Sequence, residues 1–469
     1  MTIKLNDIEA VPGNAFKNCK LKREKYADIL SQIIDTYPRG FVLAINNKWG
    51  EGKTTFIKMW QQKLIDSQYQ TVYFNAWEND FEDNPLIALM GELGSLTNES
   101  TKPKYIKSVK NAAYLVKNIA PTLLKEIVVK HTGSETLGNL MDGVTKAMSS
   151  IFEESVKEYS ERKKHVEEFK DSLAHFIADT NQGKPLIFFI DELDRCRPNY
   201  AVSVLEQIKH FFSIPDIDFV LSIDKEQLGN AIKGAYGSDL LDTDEYLRRF
   251  IDIEYSIPRP TGSDFLTFLI DYFDFNSFYQ SVIRLNHGFL SHEPRSFQDI
   301  CNILFYGSDI PLRQQEKIFS LARLSLKSYP ELATSDPFIS IFLAFIKINK
   351  ADFYNDVYDK KLTINDFHKK TWQIISQSRH ELYSDLIWLE AALLNSYNNY
   401  YDPNNNKEEL FRRLSNNEIE LTITFDSLPR EKENFNKILK NNVEGERGQR
   451  RISMDHFLSK LNLLEPFIE

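Results

Sequence analysis

The segment from Asn46 to Thr55, NNKWGEGKTT, combines glycines, a lysine and hydroxyl side chains in an order suited to holding phosphate groups. Glycine lets the backbone approach a ligand closely and adopt positive φ, and successive N–H groups at a helix amino terminus cradle anions. Lys53 is placed to reach β- and γ-phosphates, and the Thr54 hydroxyl to hold Mg²⁺. The predicted nucleotide-binding residues are Asn47, Trp49, Gly50, Glu51, Gly52, Lys53, Thr54 and Thr55.

One position of this loop departs from the pattern G-x-x-x-x-G-K-[ST], because Asn47 stands where the first glycine would fall. Asn is the residue that best replaces Gly in a left-handed conformation. We interpret Asn47 as a tolerated variant. On the loop alone, a Gly-rich turn without chemistry remains the alternative, and a second motif is needed to decide.

That second motif is the acidic end of the segment PLIFFIDELDRCRP at 185–198. Acids that follow a buried strand lie at its carboxyl end, where open α/β sheets bind ligands. Asp191 is predicted to hold Mg²⁺ through water, and Glu192 to orient or deprotonate the attacking water. Asp194 is the second candidate for the base, its alternative role being a salt bridge to Arg195 or Arg197. An acidic turn without function is the competing interpretation of the Asp191 and Glu192 pair.

The elements that must position these residues are short apolar runs separated by helical patterns. FVLAI at 41–45 precedes the loop, and similar runs occur in TVYFNAW, LIFFI, DFVLSID and RRFIDIEYSIP, at 71–77, 186–190, 218–224 and 248–258. Strands that alternate with helices predict an α/β fold with a mostly parallel five-stranded sheet. Ser222 or Asp224, at the end of the fourth run, is expected beside the γ-phosphate as a sensor. Trp77 is expected in the core or at a domain interface.

Length and composition limit the remaining possibilities. A chain of 469 residues is expected to hold two or three domains. The 3 cysteines are too few for a disulfide framework or a zinc site, and no long apolar run or signal peptide is present, so a cytoplasmic protein without a transmembrane segment is expected. The net charge of −10 argues against a surface devoted to nucleic acid, although a local basic groove stays possible.

Helical patterns fill the rest of the chain. Residues 80–183 are predicted to be a helical insertion between the two nucleotide-binding strands. Within it, the segment 102–130 carries seven lysines, which suit either a solvated face or contact with a membrane surface or nucleic acid. A long amphipathic helix is expected from about 152 to 176, packed on the sheet or on another helix. Lys20, Lys22, Arg23 and Lys25 precede a further helix and mark either a segment across the base or a solvated helix end. SYNNYYDPNNNKEE, at 396–409, is predicted to be a loop.

With these motifs placed, the chain resembles the KAP family of P-loop NTPases. The similar segments are WGEGKTT, FNAW, IDELDRC, FVLSIDKEQL, YLRRFIDIEYSIP and EPRS, within roughly the first 300 residues. The resemblance implies ATP and Mg²⁺ as ligands, ATP hydrolysis, and an extra strand between the two Walker strands. The segment PRPTG at 258–262 is typical of a boundary of the sheet domain. We therefore expect an NTPase core at 1–262, a helical lid at 263–330 and an all-α, partner-binding region at 331–469.

Three arginines acquire possible roles from the same resemblance. Arg248 and Arg249 stand where related ring-forming NTPases carry an arginine finger, which would make the protein a homo-oligomer; simple surface ion pairs are the alternative. Arg295 is expected to act as a second sensor from the lid.

Two functions follow from these expectations. In the first, ATP hydrolysis drives or switches an assembly. In the second, bound nucleotide gates a scaffold with negligible turnover, and a protein partner carries the effector activity. Since several bacterial members of the family are linked to phage exclusion, anti-phage defence is the expected context.

Overall fold

The computed structural model describes most of the chain in two compact units. The sheet unit lies within residues 7–259, and the helical unit lies within residues 260–469. The described residues are 9–37, 40–81, 84–115, 155–180, 183–211, 214–260, 262–286, 288, 291, 293–305, 310–327, 329, 336–376, 383–404, 407–415, 419–422, 435–440 and 453–462.

A parallel five-stranded sheet forms the centre of the sheet unit, in the order β2-β3-β4-β1-β5. Its strands are β1 Val42–Asn46, β2 Thr71–Asn75, β3 Leu186–Asp191, β4 Ile217–Ile223 and β5 Ile253–Tyr255. β4 pairs with both β1 and β3 and so separates the two strands that carry the nucleotide motifs. The predicted α/β class and the extra strand between the Walker strands are confirmed.

Both faces of the sheet are covered, which explains why the three central strands, β1, β3 and β4, are mostly apolar and buried along nearly their whole length. Along β1, Val42 and Ala44 join one buried cluster, while Leu43 and Ile45 join the cluster on the opposite face. The helices of this unit are α1 Glu24–Thr36, α2 Lys53–Asp66, α3 Pro85–Leu93, α4 Lys102–Leu115, α5 Ser155–Thr180, α6 Pro198–Phe211, α7 Lys225–Tyr236 and α8 Thr243–Leu247.

The fifth strand is shorter than the run from 248 to 258 predicts. Backbone N–H groups of Arg248 and Arg249 donate to the carbonyl groups of Asp244 and Tyr246, so they continue the turns of α8 instead of extending a strand. The polar cap that Asp242 provides to the Glu245 N–H starts that helix. The helical turns that Asp242 caps therefore continue through Arg249, and the strand predicted from residue 248 begins only at Ile253.

The helical insertion packs α4 against α5. Asn111 donates to the Glu168 carbonyl oxygen at 2.9 Å and to Ser172 Oγ at 3.1 Å, and the rings of Tyr105 and Phe176 are 5.5 Å apart. The predicted amphipathic helix thus packs on another helix along its stripe of buried residues. The lysines of α4 lie among the described residues, whereas the remainder of the Lys-rich segment, from 116 to 130, lies outside them.

The helical unit contains α9 Gly262–Tyr272, α10 Phe275–Tyr279, α11 Val282–Leu285, α12 Glu293–Phe305, α13 Leu312–Leu326, α14 Pro337–Asn349, α15 Ala351–Tyr358, α16 Ile364–Ile375, α17 Tyr383–Tyr401 and α18 Met454–Asn462. A short antiparallel pair, β6 Phe411–Arg413 and β7 Ile419–Leu421, accompanies them. Among the described residues, none of the helices combines the length and apolarity that membrane crossing requires.

The loop predicted from 396 onward is wrong up to residue 401, because α17 continues to Tyr401. The ring of Tyr397 stacks on Phe367 with centroids 4.2 Å apart, and its hydroxyl donates to the Leu362 carbonyl oxygen at 2.8 Å. Burial of this tyrosine stabilises helix in a sequence that is locally typical of a loop.

Candidate nucleotide site

The turn between β1 and α2 has the backbone geometry of a phosphate cradle. Gly50 and Gly52 have φ of 81° and 76°, in the left-handed region that favours glycine. A Cβ at Gly52 would also approach Arg23 Nη1 to 3.0 Å. The helix that follows begins at Lys53, so its free N–H groups lie beside this turn.

Lys53 lies folded over the loop that precedes it. Its Nζ donates to the carbonyl oxygen of Asn47 at 2.5 Å and of Lys48 at 3.3 Å. Burial lowers the pKa of Lys53, while the charges of Asp194, Asp224 and Asp191 act in the opposite direction. The charges of three carboxylates thus favour the ammonium form of Lys53.

Asn47 serves a purpose other than the one its sequence position suggests. It is absent from the residues of positive φ in the described part of the chain, so a left-handed backbone is not the reason that Asn replaces Gly. Its side-chain amide donates to the Ile257 carbonyl oxygen at 2.8 Å and accepts from the Ile257 N–H at 2.9 Å. The Asn side chain ties the loop to the segment that follows β5.

Trp49 links the loop to two aspartates. Its backbone N–H donates to Asp224 Oδ2 at 3.2 Å, and its indole N–H donates to Asp194 Oδ2. The ring remains 44% exposed, so it lies at the surface of the site. Trp49 therefore fixes the loop against the ends of β3 and β4.

Asp191 is held rigidly at the end of β3. Its side chain is buried; Oδ1 accepts from the Glu192 N–H at 2.9 Å and Oδ2 from the Tyr73 hydroxyl at 3.0 Å. Burial and the charge of Asp191 raise the pKa of Tyr73, which keeps the phenol protonated as a donor. Tyr73, on β2, was not identified by sequence analysis, since an aromatic residue within a strand is typical of a core.

Glu192 follows in a left-handed conformation, with φ of 59°, and its side chain turns toward Arg195. Glu192 Oε1 lies 2.8 Å from Arg195 Nη1. Burial raises the pKa of Glu192, Arg195 lowers it, and Asp191 adds to the increase. A positive φ at a non-glycine residue is uncommon, and here it turns the backbone beside a candidate catalytic carboxyl group.

The alternative role predicted for Asp194 is corrected by these contacts. Arg195 pairs with Glu192, and Arg197 pairs with Asp80 at 2.8 Å, while Asp194 accepts from the Trp49 indole. Burial raises the pKa of Asp194, and Lys53 opposes that increase. The Asp194 side chain therefore positions the loop.

The two sensor candidates differ in how their oxygens are occupied. Asp224 caps α7 through the Gln227 N–H at 3.3 Å and also accepts from Trp49. Ser222 aligns with Asp191 across the β3–β4 pair, and its buried Oγ has no hydrogen-bond partner among the described residues. The Ser222 hydroxyl thus retains a free hydrogen-bonding capacity beside the acidic strand end.

Two arginines that sequence analysis did not assign to the loop contact it directly. Arg23 is 4% exposed and donates to the carbonyl oxygens of Glu51 and Gly52 at 2.9 and 3.3 Å, so the solvated-end interpretation is wrong for Arg23. Arg259 lies 2.9 Å from Glu51 Oε1. Sequence analysis noted Arg259 only as part of the Pro-Arg-Pro segment after β5, which it interpreted as a domain boundary.

The three arginines with predicted roles in catalysis, Arg248, Arg249 and Arg295, are exposed, and so is Trp77. Arg249 lies 3.9 Å from Glu245, with 65% of its side chain exposed, and Arg248 is exposed beside it. Arg295 belongs to the helical unit, where its side chain is 88% exposed and 3.7 Å from Asp299. Trp77 is 53% exposed and lies under the Arg195 guanidinium group, so it does not lie in the core, and its predicted place at a domain interface stays a prediction.

These residues fit a magnesium nucleotide. The positive-φ glycines, the helix amino terminus and Lys53 suit a polyphosphate, and the buried Asp191 with Thr54 supplies hard oxygen ligands of the kind that Mg²⁺ takes alongside phosphate and water. The orphaned Ser222 hydroxyl adds a hydrogen-bonding group at the same strand ends.

Comparison with known proteins finds a matching family model and a distant relative. Residues 23–288 match the family model of the KAP family P-loop domain. The phage T7 exclusion protein of Escherichia coli is 21% identical over 248 residues, which is 51% of this chain and 33% of that protein. The match therefore spans a third of that relative's length.

Two other similarities are more limited. An uncharacterized protein of Methanocaldococcus jannaschii is 27% identical over 174 residues, covering 32% of this chain and 89% of that protein. The solved structure of the ORC2 protein of Aeropyrum pernix, titled as ADPNP and ADP complexes, covers 90% of this chain and 95% of its own at 12% identity and a TM-score of 0.33. A TM-score this low supports no argument about function.

Proposed function

The chain belongs to the KAP family of P-loop NTPases, and on this basis we propose that it binds and hydrolyses ATP with Mg²⁺ to drive or switch an assembly. The observation that carries the proposal is the convergence of the loop, Lys53 and the acids of β3 at one edge of the sheet. Mg²⁺, when bound, would neutralise phosphate charge.

Each residue has a separate part in this proposal. Lys53 leaves the carbonyl oxygens of Asn47 and Lys48 for the β- and γ-phosphates, which offer charge-assisted hydrogen bonds. Thr54 and Asp191 hold the cation. Glu192 accepts the proton of the attacking water, and Asp224 or Ser222 senses the γ-phosphate.

The test is calorimetric titration of the purified chain with ATP and Mg²⁺, followed by measurement of phosphate release. We expect saturable binding, and its loss in Lys53→Ala, since that variant lacks the ammonium group of the loop. Lys58→Ala is a matched control on the same helix. Equal affinity in Lys53→Ala and the wild type would contradict the proposed site.

A second function, a nucleotide-gated scaffold with negligible turnover, is favoured by one observation. Glu192 Oε1 lies 2.8 Å from Arg195 Nη1, so one oxygen of this carboxylate is occupied by an ion pair instead of being free to accept a proton from water. Phosphate release separates the two functions. A single burst without steady-state turnover supports the scaffold, whereas continuous release supports the hydrolase.

We further propose that the chain acts in the cytoplasm in anti-phage defence, as the name of its phage T7 exclusion relative suggests. The helical unit would bind a protein partner, and Arg295 would act on nucleotide as a second sensor. Plaque counts on cells with and without the chain test the role in defence. Proteins that co-purify with a Glu192→Gln variant, but not with Lys53→Ala, would identify the partner.

Hydrolysis is proposed to require self-association, with Arg248 or Arg249 acting on the nucleotide of a second copy. Their exposure leaves both guanidinium groups accessible to another subunit. Mixed assemblies test this: Lys53→Ala chains combined with Arg248→Ala/Arg249→Ala chains should regain activity that neither variant has alone. Absence of rescue in demonstrably mixed assemblies, or full activity in a dilute monomer, would exclude a finger in trans.

A further inference from the structure

A buried carboxylate lies inside the proposed phosphate loop. The Glu51 side chain, between the two positive-φ glycines, is 3% exposed. It precedes Lys53 by two positions in a loop that must accept several negative charges. An uncompensated carboxylate there would oppose the binding of a polyphosphate, and its own burial would be unfavourable.

Two arginines lie near this carboxylate, one from the beginning and one from the end of the sequence of the sheet unit. Arg259, which follows β5, lies 2.9 Å from Glu51 Oε1, with 41% of its side chain exposed. Arg23, which precedes α1, is buried and donates to the Glu51 and Gly52 carbonyl oxygens. Burial raises the pKa of Glu51, whereas both arginines and Lys53 favour the charged form.

The same part of the chain is tied to the loop a second time. Asn47 makes two hydrogen bonds to the backbone of Ile257, two residues before Arg259. The loop thus contacts residues 257–259 at its beginning and at its centre. This arrangement fixes Arg259 beside Glu51 although its guanidinium group is partly exposed.

We propose that Arg259 is a positioning residue of the nucleotide site, which neutralises Glu51 and thereby makes the loop able to accept a polyphosphate. The proposal rests on the proposed function, because it assumes that the loop binds nucleotide. Arg259 acts through Glu51 and does not itself contact phosphate. Glu51 in turn keeps Arg259 and the loop together.

This role predicts that a second substitution, at Glu51, restores the affinity that is lost when Arg259 is replaced. Such a recovery of affinity distinguishes the role from a simple contribution to stability. Removal of Arg259 alone leaves a buried negative charge beside the phosphates, so affinity for the nucleotide falls. Removal of the Glu51 charge as well takes away the repulsion. A purely structural ion pair would change the unfolding temperature without this pattern in affinity. A direct contact between Arg259 and phosphate would leave the affinity of the double variant below that of Glu51→Gln.

The experiment is calorimetric titration of the full chain with ATP and Mg²⁺ in four variants, with thermal unfolding as the check on folding. We expect affinity to fall about tenfold or more in Arg259→Gln and to recover in Glu51→Gln/Arg259→Gln to the level of Glu51→Gln alone. Arg197→Gln is the matched control, because it breaks a 2.8 Å pair with the largely buried Asp80 outside the loop. It should leave affinity unchanged.

The outcomes separate this inference from the function on which it rests. Wild-type affinity in Arg259→Gln, or no recovery in the double variant, overturns the role of Arg259 while Lys53→Ala still loses binding. Wild-type affinity in Lys53→Ala overturns the proposed function itself. If Arg259→Gln fails to fold, Glu51→Gln and Glu51→Gln/Arg259→Gln are compared instead, because Arg259 has no charge left to neutralise once residue 51 is uncharged. A double variant that binds ATP with Mg²⁺ clearly more weakly than Glu51→Gln would overturn the role of Arg259.

Discussion

The two ends of the central sheet both bury aspartates, but they surround them differently. At the carboxyl end, Asp191, Asp194 and Asp224 share the field of Lys53. At the amino end, Asp218 is 0% exposed at the start of β4, and Asp216 adds a like charge instead of a cation. Burial therefore does not by itself identify a reactive carboxyl group.

At the amino end, the surroundings of Asp218 favour the protonated, neutral form of its carboxyl group. Asp218 Oδ1 accepts from the Phe41 N–H at 3.2 Å, and burial raises the pKa of Asp218 to about 7. Gly40 has φ of 80°, and a Cβ there would lie 2.9 Å from the Ile217 carbonyl oxygen, so the chain is close packed at this turn. The Asp218 side chain therefore provides the hydrogen-bond acceptor for the Phe41 N–H at this turn.

The carboxyl end differs because its acids lie near the Lys53 ammonium group and form hydrogen bonds with the loop. Asp194 and Asp224 hold Trp49, and Asp191 is held by Tyr73. Charges that face one ammonium group keep it protonated at neutral pH and orient it. Neutralising an acid at the carboxyl end should therefore lower turnover, whereas neutralising Asp218 at the amino end should raise stability.

The largest effect is expected from Glu192→Gln at the carboxyl end. The amide keeps the shape of the side chain but cannot accept a proton, so turnover should fall about 100-fold while binding of ATP with Mg²⁺ is retained. Steady-state phosphate release and calorimetric titration measure the two quantities.

Asp194→Asn is the control for this prediction. Because Asp194 accepts from the Trp49 indole, its neutralisation should weaken nucleotide binding more than it slows hydrolysis of bound nucleotide. If Asp194→Asn loses turnover with unchanged affinity and Glu192→Gln does not, the base has been assigned to the wrong residue.

A smaller effect is expected from Trp49→Phe. This variant keeps an aromatic ring but lacks the indole N–H, so Asp194 loses a donor while the backbone bond from residue 49 to Asp224 remains. Affinity for ATP with Mg²⁺ should fall about threefold to tenfold, which corresponds to the net contribution of a typical intramolecular hydrogen bond. An unchanged dissociation constant would mean that the indole does not position the loop.

Sequence alone predicted the central sheet because five runs are apolar and polar residues follow them. It also located the loop and the acids, since phosphate chemistry constrains residue type and spacing. The contacts of Asn47, Arg23 and Arg259 were not predictable, because they join residues more than 25 positions apart through side-chain geometry. Tyr397 likewise shows tertiary packing overriding a local loop pattern.

The smallest effect is expected from Asp218→Asn at the amino end. The pKa of Asp218 is about 7 in the folded chain, against an ordinary value of 3.8. The folded state therefore binds the proton more tightly, and the free energy of unfolding should decrease as pH rises from about 4 to about 7.

The amide introduced by Asp218→Asn would still accept from the Phe41 N–H, and it carries no charge to bury. The variant should be more stable than the wild type at pH 8 and nearly equal to it at pH 4, because only the wild type has to bury a charge or bind a proton at the higher pH. Thermal unfolding midpoints of both proteins across this range measure the difference, and phosphate release should be unaffected. A variant destabilised equally at both pH values would show that the Asp218 carboxyl group is charged in the folded chain, and that the two ends of the sheet do not differ in the way their surroundings suggest.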